Sequence, residues 1–173
     1  MPKPLVVMLI GLPGAGKTEL ARALEARLGL HRVCRDGIRA AMFPRCAFAP
    51  AEKRAANQAA LRALEVNCAM GRDSVLDGRT FARLSERVEV ESRVDGFGAV
   101  LVPVWMDCPL DVARRRVETE KDHPAGDRDA RLVESVAAIF EPPQGCIQVN
   151  AGEALAEVIE AVVESVQAQR AAN

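Results

Sequence analysis

Residues 11–18 read GLPGAGKT and match the pattern G-x-x-x-x-G-K-[ST] at every defined position. Because glycines lack a Cβ atom, consecutive backbone N–H groups in such a stretch can turn inward around a phosphate. The pattern requires a strand before it and a helix after it. Residues 5–10, LVVMLI, form an apolar run typical of a buried parallel strand, and residues 19–28 favour a helix. The stretch therefore predicts a phosphate-binding loop at the beginning of an α/β fold.

The loop pattern assigns a task to its last two residues. Lys17 is expected to reach the β- and γ-phosphates of a nucleoside triphosphate, which also makes it a candidate catalytic residue. The Thr18 hydroxyl is expected to ligate Mg²⁺. The residues predicted to bind the nucleotide are Gly11, Pro13, Gly14, Ala15, Gly16, Lys17, Thr18 and Glu19.

The composition excludes several classes of protein. With 49% hydrophobic and 27% charged residues in 173, the chain is expected to fold as one globular domain. A net charge of −1 and an aromatic content of 3% argue against a long nucleic acid as partner. The five scattered cysteines favour reduced thiols in a cytoplasm, and the short N-terminal apolar run does not resemble a secretory signal. No apolar stretch approaches the roughly 20 residues of a membrane span.

Strand and helix patterns alternate along the chain. The predicted strands are 5–10, 31–34, 74–77, 99–106 and 146–149, and the predicted helices are 19–28, 36–42, 50–70, 81–94, 110–120, 129–140 and 153–170. This order predicts a three-layer α/β/α fold with a five-stranded parallel sheet. Ligands of such sheets bind beyond the carboxyl ends of the strands. Asp36 and Asp77, which follow two predicted strands, should therefore lie at the same edge as the loop.

The segment RDGIR, residues 35–39, suggests chemistry beside a phosphate. Asp36 and Arg39 are three residues apart and share one face of a helix. A carboxylate at this place can orient an attacking hydroxyl or accept its proton, and an arginine can neutralise charge on phosphoryl oxygens. The alternative is a surface ion pair with an N-cap aspartate. The phosphate-binding loop favours the catalytic interpretation.

Four segments together resemble small P-loop kinases: the loop itself, RDGIRAAMF, GRDSVLDGRTFARLSER and FEPP. The chain is similar to polynucleotide 5′-hydroxyl kinase domains, chloramphenicol phosphotransferase and zeta-toxin-like kinases, in the group of "AAA domain" ATP-binding proteins. The resemblance covers about residues 4–165. It implies a P-loop nucleoside triphosphate hydrolase fold of the nucleoside-kinase-like type, with ATP and Mg²⁺. By position, it implies that Asp36 is the base for the acceptor hydroxyl and that Arg39 contacts the substrate or phosphate.

The resemblance also implies roles for later residues. Asp77 corresponds to a Walker B-type acid that holds Mg²⁺ through water or orients Thr18, although a turn aspartate is the alternative. A helical lid is expected at about residues 114–131, with Arg116 as the catalytic lid arginine. The family often carries a second arginine four residues later, where this chain has Glu120; Arg128 could substitute for it. A solvated basic helix face is the alternative for residues 114–116.

The predicted function is transfer of the ATP γ-phosphoryl group to a hydroxyl of a small molecule or nucleotide. Arg79, Thr80 and Arg83 follow the third predicted strand and could bind an acceptor that carries a negative group. The alternatives that stay open include a non-catalytic ATP-binding or regulatory module and a polynucleotide 5′-hydroxyl kinase. An NTPase switch is a third, but no water-positioning residue or switch loop can be identified.

Overall fold

The computed structural model describes residues 3–120 and 129–173. Its strands are β1 (Leu5–Ile10), β2 (His31–Cys34), β3 (Ser74–Asp77), β4 (Val100–Asp107) and β5 (Ile147–Asn150). Its helices are α1 (Lys17–Leu28), α2 (Arg35–Met42), α3 (Pro50–Ala69), α4 (Leu84–Asp95), α5 (Leu110–Thr119), α6 (Ala130–Ala138) and α7 (Leu155–Ala171). The strands of these described ranges form one parallel sheet in the order β2-β3-β1-β4-β5.

Strand β1 lies in the middle of the sheet and supplies both halves of the core. Successive side chains of a strand point to opposite faces. Leu5, Val7 and Leu9 accordingly pack in a cluster that contains residues of α1 and α7, whereas their neighbours Val6, Met8 and Ile10 pack with residues of α3 and α4. All six are buried. Burial of each such side chain is worth about 1.5–3 kcal/mol, which anchors the loop that follows this strand.

The predicted three-layer α/β/α fold with a five-stranded parallel sheet is confirmed. Strands β1, β2 and β3 have the predicted bounds. Strands β4 and β5 begin and end one residue later than predicted. The predicted beginning of a helix at residue 81 is wrong, because α4 begins at Leu84. The physical reason is the backbone of Phe81, whose φ of 49° is left-handed and cannot belong to a right-handed helix.

The single domain with a lid at about residues 114–131 stays a prediction. Residues 114–119 belong to α5, and α6 begins at Ala130. The middle of the expected lid, 121–128, and with it Arg128, lies outside the described residues. Among the helices that the structure describes, none is both long and apolar enough to cross a membrane. The cytoplasmic location stays a prediction.

Candidate active site

The loop and the carboxyl ends of β2 and β3 surround one cavity of about 440 Å³. One side, which we call the loop wall, consists of residues 11–18. A second part of the lining, which we call the charged wall, consists of Arg35, Asp36, Lys53, Arg79 and Glu86. Further lining residues are Glu19, Asn57, Asp77, Gly78, Thr80, Arg116, Thr119, Glu120, Leu132, Val136 and Leu155. The expected meeting of the loop, Asp36 and Asp77 at one edge of the sheet is therefore what the structure shows.

The loop wall is held by close contacts of its backbone. Gly14 has a φ of 85°, and a Cβ atom there would lie 2.5 Å from the carbonyl oxygen of Ala113 in α5. The backbone can adopt this conformation at this distance only because the residue is glycine. Lys17 is the first residue of α1, and its Nζ donates hydrogen bonds of 2.8 Å to the carbonyl oxygens of Gly11 and Leu12. Helix α1 thus begins at the loop, and its first residues, whose N–H groups have no partner within the helix, line the cavity.

Thr18 and Asp77, the two residues predicted to hold Mg²⁺, are in direct contact. The Thr18 Oγ1 donates to Asp77 Oδ1 at 3.2 Å, and the Gly78 N–H donates to the same oxygen at 2.8 Å. No cluster of three or more His, Cys, Asp or Glu side chains that could hold a metal occurs among the described residues. Mg²⁺ usually needs only one or two protein oxygens beside substrate phosphates and water. A hydroxyl and a carboxylate beside a phosphate-binding loop therefore fit this ion.

The second oxygen of Asp77 has a partner that the sequence did not suggest. Arg32 Nη1 lies 3.2 Å from Asp77 Oδ2, and Arg32 Nε lies 3.3 Å from a carboxylate oxygen of Glu25. Burial alone would lower the pKa of Arg32, but the acidic neighbours Cys34, Asp77 and Glu25 outweigh it and raise that pKa. Arg32 therefore balances the charge of a carboxylate that is almost fully buried.

Asp36 lies in the first turn of α2. The helix begins after Cys34, whose Sγ accepts a hydrogen bond from the Gly37 N–H; burial raises the pKa of this thiol. Asp36 Oδ1 lies 2.9 Å from Nη1 of Arg35 and 2.9 Å from Nη1 of Arg39. Both ion pairs use the same oxygen. They fix the orientation of the carboxyl group, which lines the cavity beside the loop wall.

Arg39, which was expected to contact the substrate or phosphate, lies outside the cavity lining. Only 1% of its surface is exposed, and it is not among the residues that line the cavity. Its guanidinium carbon lies 4.7 Å from the centre of the Phe48 ring, so the group is packed behind Asp36. Arg35, which also contacts Asp36, lines the cavity instead. It donates from Nε to Asn57 Oδ1 and from Nη1 to Asp36.

The turn after β3 approaches α2 closely. A Cβ atom on Gly78, whose φ is 88°, would lie 2.8 Å from the backbone nitrogen of Asp36. The next residue, Arg79, lines the cavity, as does Thr80, whose carbonyl oxygen accepts the Gly11 N–H at 3.1 Å. Arg83 is exposed and does not line it. The turn therefore connects the charged wall to the loop wall.

Several lining residues were not predicted from the sequence, among them Arg35, Lys53, Asn57 and Glu86. Arg35 stands beside Asp36 in the segment RDGIR, so its neighbourhood could have suggested it. Lys53 and Asn57 lie on α3 and belong to no recognised pattern, whereas Glu86 lies on α4 inside the segment GRDSVLDGRTFARLSER that carries the resemblance. Only the packing of these helices against the sheet brings them to the cavity.

Arg116 is the one of the three consecutive arginines at 114–116 that lines the cavity. Its Nη1 donates to the carbonyl oxygens of Ala151 at 2.7 Å and of Gly14 at 3.5 Å. It also lies 3.9 Å from the Sγ of Cys108, a thiol whose pKa is raised by burial. The side chains of Arg114 and Arg115 are instead largely exposed, in ion pairs with Glu134 and Asp111. Arg116 therefore connects α5 to the loop wall.

A parallel α/β sheet with a phosphate-binding loop after its central strand defines a P-loop nucleotide-binding protein. The family model described as "AAA domain" matches residues 6–143, which is most of the chain. The chain belongs to this family, and the expected resemblance is confirmed. No curated protein matches the sequence.

Solved structures with this fold include several kinases. The APS kinase CysC of Mycobacterium tuberculosis, in complex with AMPPNP and APS, is 18% identical with a TM-score of 0.71, over 96% of this chain and 99% of that one. A sugar kinase from Janibacter sp. HTCC2649 is 16% identical with a TM-score of 0.72, over 96% and 95%. A gluconokinase from Sinorhizobium meliloti 1021 is 17% identical with a TM-score of 0.62, over 98% and 99%. At these identities the likeness shows the fold.

Proposed function

We propose that this protein is an ATP-dependent kinase that transfers the γ-phosphoryl group to a hydroxyl of a small molecule. The observation that carries the proposal is the position of Asp36. Its carboxylate lines the same cavity as Lys17 and Thr18 and is oriented by two arginines. A module that only binds a nucleotide gains nothing from a carboxylate there, because repulsion from the phosphates would weaken binding. The kinases among the structures of similar fold support the same class of reaction.

The proposed reaction assigns each wall a part. The loop wall binds the triphosphate through backbone N–H groups and Lys17. The acceptor hydroxyl attacks the γ-phosphorus, the bond from that phosphorus to the β,γ-bridging oxygen breaks, and ADP leaves. The hydroxyl proton passes to the Asp36 carboxylate, and the product is a phosphate ester. Mg²⁺, held near Thr18 and Asp77, would supply charge neutralisation on the phosphates.

Two arginines have supporting tasks in this proposal. Arg39 is a positioning residue, because it contacts Asp36 and does not line the cavity. Arg116 is in contact with the loop wall through Gly14 and can neutralise phosphate charge if its guanidinium turns toward the cavity that it lines. The polynucleotide alternative has less support, because no aromatic side chain lines the cavity within the described residues and the net charge is −1.

The proposal is tested with the Asp36→Asn variant. A screen of hydroxyl-bearing metabolites, antibiotics and oligonucleotides, with radiolabelled ATP, first identifies an acceptor for the wild type. General acid–base groups contribute about 10²–10⁴-fold, so we expect turnover by Asp36→Asn to fall at least about 100-fold. The stabilisation of this variant by ATP, measured as a shift in melting temperature, should persist.

Matched variants separate the two walls. Lys17→Ala should lose both ATP-induced stabilisation and turnover, because two charge-assisted hydrogen bonds and the phosphate contact are removed. Asp111→Asn, an exposed carboxylate on α5, should change neither. Near-wild-type transfer by Asp36→Asn would refute the assignment of the base. ATP binding without transfer to any acceptor would favour the regulatory module, and transfer to oligonucleotides alone would favour the polynucleotide kinase.

A further inference from the structure

The charged wall contains three cations and two anions. Its cations are Arg35, Lys53 and Arg79, and its anions are Asp36 and Glu86. Arg35 is already engaged by Asp36, by Asn57 and by the carbonyl oxygen of Gly78 at 3.4 Å. Arg79 differs from it, because one of its guanidinium nitrogens has no hydrogen-bond partner among the described residues.

Arg79 is a guanidinium held from two sides. Its Nη2 donates to Glu86 Oε1 at 2.8 Å, and its Cζ lies 5.1 Å from the centre of the Phe81 ring. Glu86 is itself fixed, since its other oxygen accepts the backbone N–H of Arg83 at the beginning of α4. Phe81 is buried and adopts a left-handed backbone conformation in the turn after β3. These contacts orient the planar group while the side chain still lines the cavity.

One donor of this oriented group is unused. The Nη1 of Arg79 is buried and has no hydrogen-bond partner among the described residues. A buried charged donor without a partner is destabilising, because it has lost its contacts with water and gained nothing in return. A small rotation toward the cavity would let it donate to an anionic oxygen there. Guanidinium groups bind carboxylate and phosphate oxygens especially well, because their planar set of donors matches two oxygens at once.

Arg79 also lies close to the reacting end of the cavity. The backbone of the preceding residue, Gly78, lies against the backbone of Asp36, because a Cβ atom on Gly78 would be only 2.8 Å from the Asp36 nitrogen. A single small molecule can therefore reach both residues. We propose that the acceptor carries an anionic group, a carboxylate or a phosphate, which Arg79 binds while Asp36 engages its hydroxyl. The contact between Asp36 and the hydroxyl rests on the proposed kinase function, whereas the contact between Arg79 and the anionic group does not.

The test compares hydroxyl compounds that differ in one anionic group. The two series are glycerol, glycerate and glycerol 3-phosphate, and glucose, gluconate and glucose 6-phosphate. Each compound is titrated against the full chain in the presence of AMPPNP and Mg²⁺, which occupy the loop wall, and the melting temperature is measured. We expect the anionic members of at least one series to stabilise the protein at concentrations about tenfold or more below those of the neutral member. The carboxylate and phosphate arms then identify the preferred anion.

Variants assign the preference to Arg79. Arg79→Met should abolish the tenfold preference, and Arg79→Lys, which keeps the charge but not the planar donors, should reduce it. Arg83→Met is the matched control, because this arginine is four residues away, exposed and outside the cavity lining, and it should keep the preference. Equal stabilisation by neutral and anionic members, no stabilisation by any, or an unchanged preference in both Arg79 variants would overturn the inference.

The same compounds separate this inference from the proposed function. Transfer from radiolabelled ATP is measured for every compound that binds. Binding that depends on Arg79, without transfer to any compound or to the acceptors of the wider screen, would refute the kinase proposal and leave the anion site standing. Transfer to neutral acceptors alone would refute the anion site and support the kinase proposal.

Discussion

The loop wall and the charged wall line one cavity but are built differently. The loop wall is backbone that is packed tightly against its neighbours, with Gly14 against α5. The charged wall is made of side chains from α2, α3, α4 and the turn after β3, held in position by ion pairs such as Arg79 with Glu86. A backbone cradle suits the phosphate that all nucleotides share, whereas in the proposed kinase the paired side chains would change with the acceptor. The difference explains why one wall carries a recognisable pattern and the other does not.

The largest expected effect comes from filling the space beside Gly14. In Gly14→Ala the new Cβ would lie 2.5 Å from the Ala113 carbonyl oxygen, in a backbone with a φ of 85°. The left-handed conformation costs about 1–2 kcal/mol, and the overpacking costs about 1–3 kcal/mol more. We expect a loss of that size in the free energy of unfolding by urea, together with loss of ATP-induced stabilisation.

Gly29→Ala is the control for the effect of the backbone alone. This glycine has a φ of 68°, but a Cβ atom there would meet nothing within 4 Å. It should lose only the conformational part of the stability and bind ATP normally. If Gly14→Ala binds ATP as well as Gly29→Ala does, the close packing of the loop wall is not what shapes the phosphate site.

A second substitution applies the same change to the charged wall. In Gly78→Ala the new Cβ would lie 2.8 Å from the Asp36 nitrogen and 3.1 Å from the Arg35 nitrogen. The beginning of α2 must therefore move, and misplacement by about 1 Å can cost about 100-fold in rate. We expect turnover of an identified acceptor to fall by about 10–100-fold, while the ATP-induced stabilisation persists.

The control is Gly71→Ala, with a φ of 67° and nothing within 4 Å of a new Cβ. Its turnover should match that of the wild type. Equal losses of ATP binding in Gly14→Ala and Gly78→Ala would show that the two walls do not act independently. An unchanged turnover in Gly78→Ala would show that the position of Asp36 does not limit the reaction.

The fold and the loop wall could be predicted from the sequence because both depend on local patterns. The apolar run of β1 and the fixed spacing of the motif specify strand, loop and helix within residues 5–28. Asp36 and Asp77 followed from the rule that parallel strands end at one edge. The surroundings of these carboxylates did not follow. Arg32 reaches Asp77 from the neighbouring strand, and the packing of Arg39 on Phe48 depends on a loop conformation that no short pattern encodes.

The smallest expected effect concerns Arg116, which lies where α5 meets the loop wall. Arg116→Leu removes its hydrogen bonds to the carbonyl oxygens of Ala151 and Gly14. Hydrogen bonds from charged groups contribute about 1.5–3 kcal/mol, and the partly exposed position favours the lower end. We expect a loss of about 1–2 kcal/mol in the free energy of unfolding. ATP affinity should be only a few-fold weaker, since a charge-assisted contact to the loop is lost while the cradle remains.

Arg115→Leu provides the comparison within the same helix. This side chain is 71% exposed and its ion-pair partner is Asp111, so its removal should change stability by less than about 0.5 kcal/mol and leave ATP affinity unchanged. The two variants also test whether Arg116 acts on the transferring phosphoryl group. If Arg116→Leu slows turnover about 100-fold or more with normal stability, its guanidinium must leave the two carbonyl oxygens during the reaction. Loss of stability with normal turnover would mean that Arg116 only holds α5 against the loop wall.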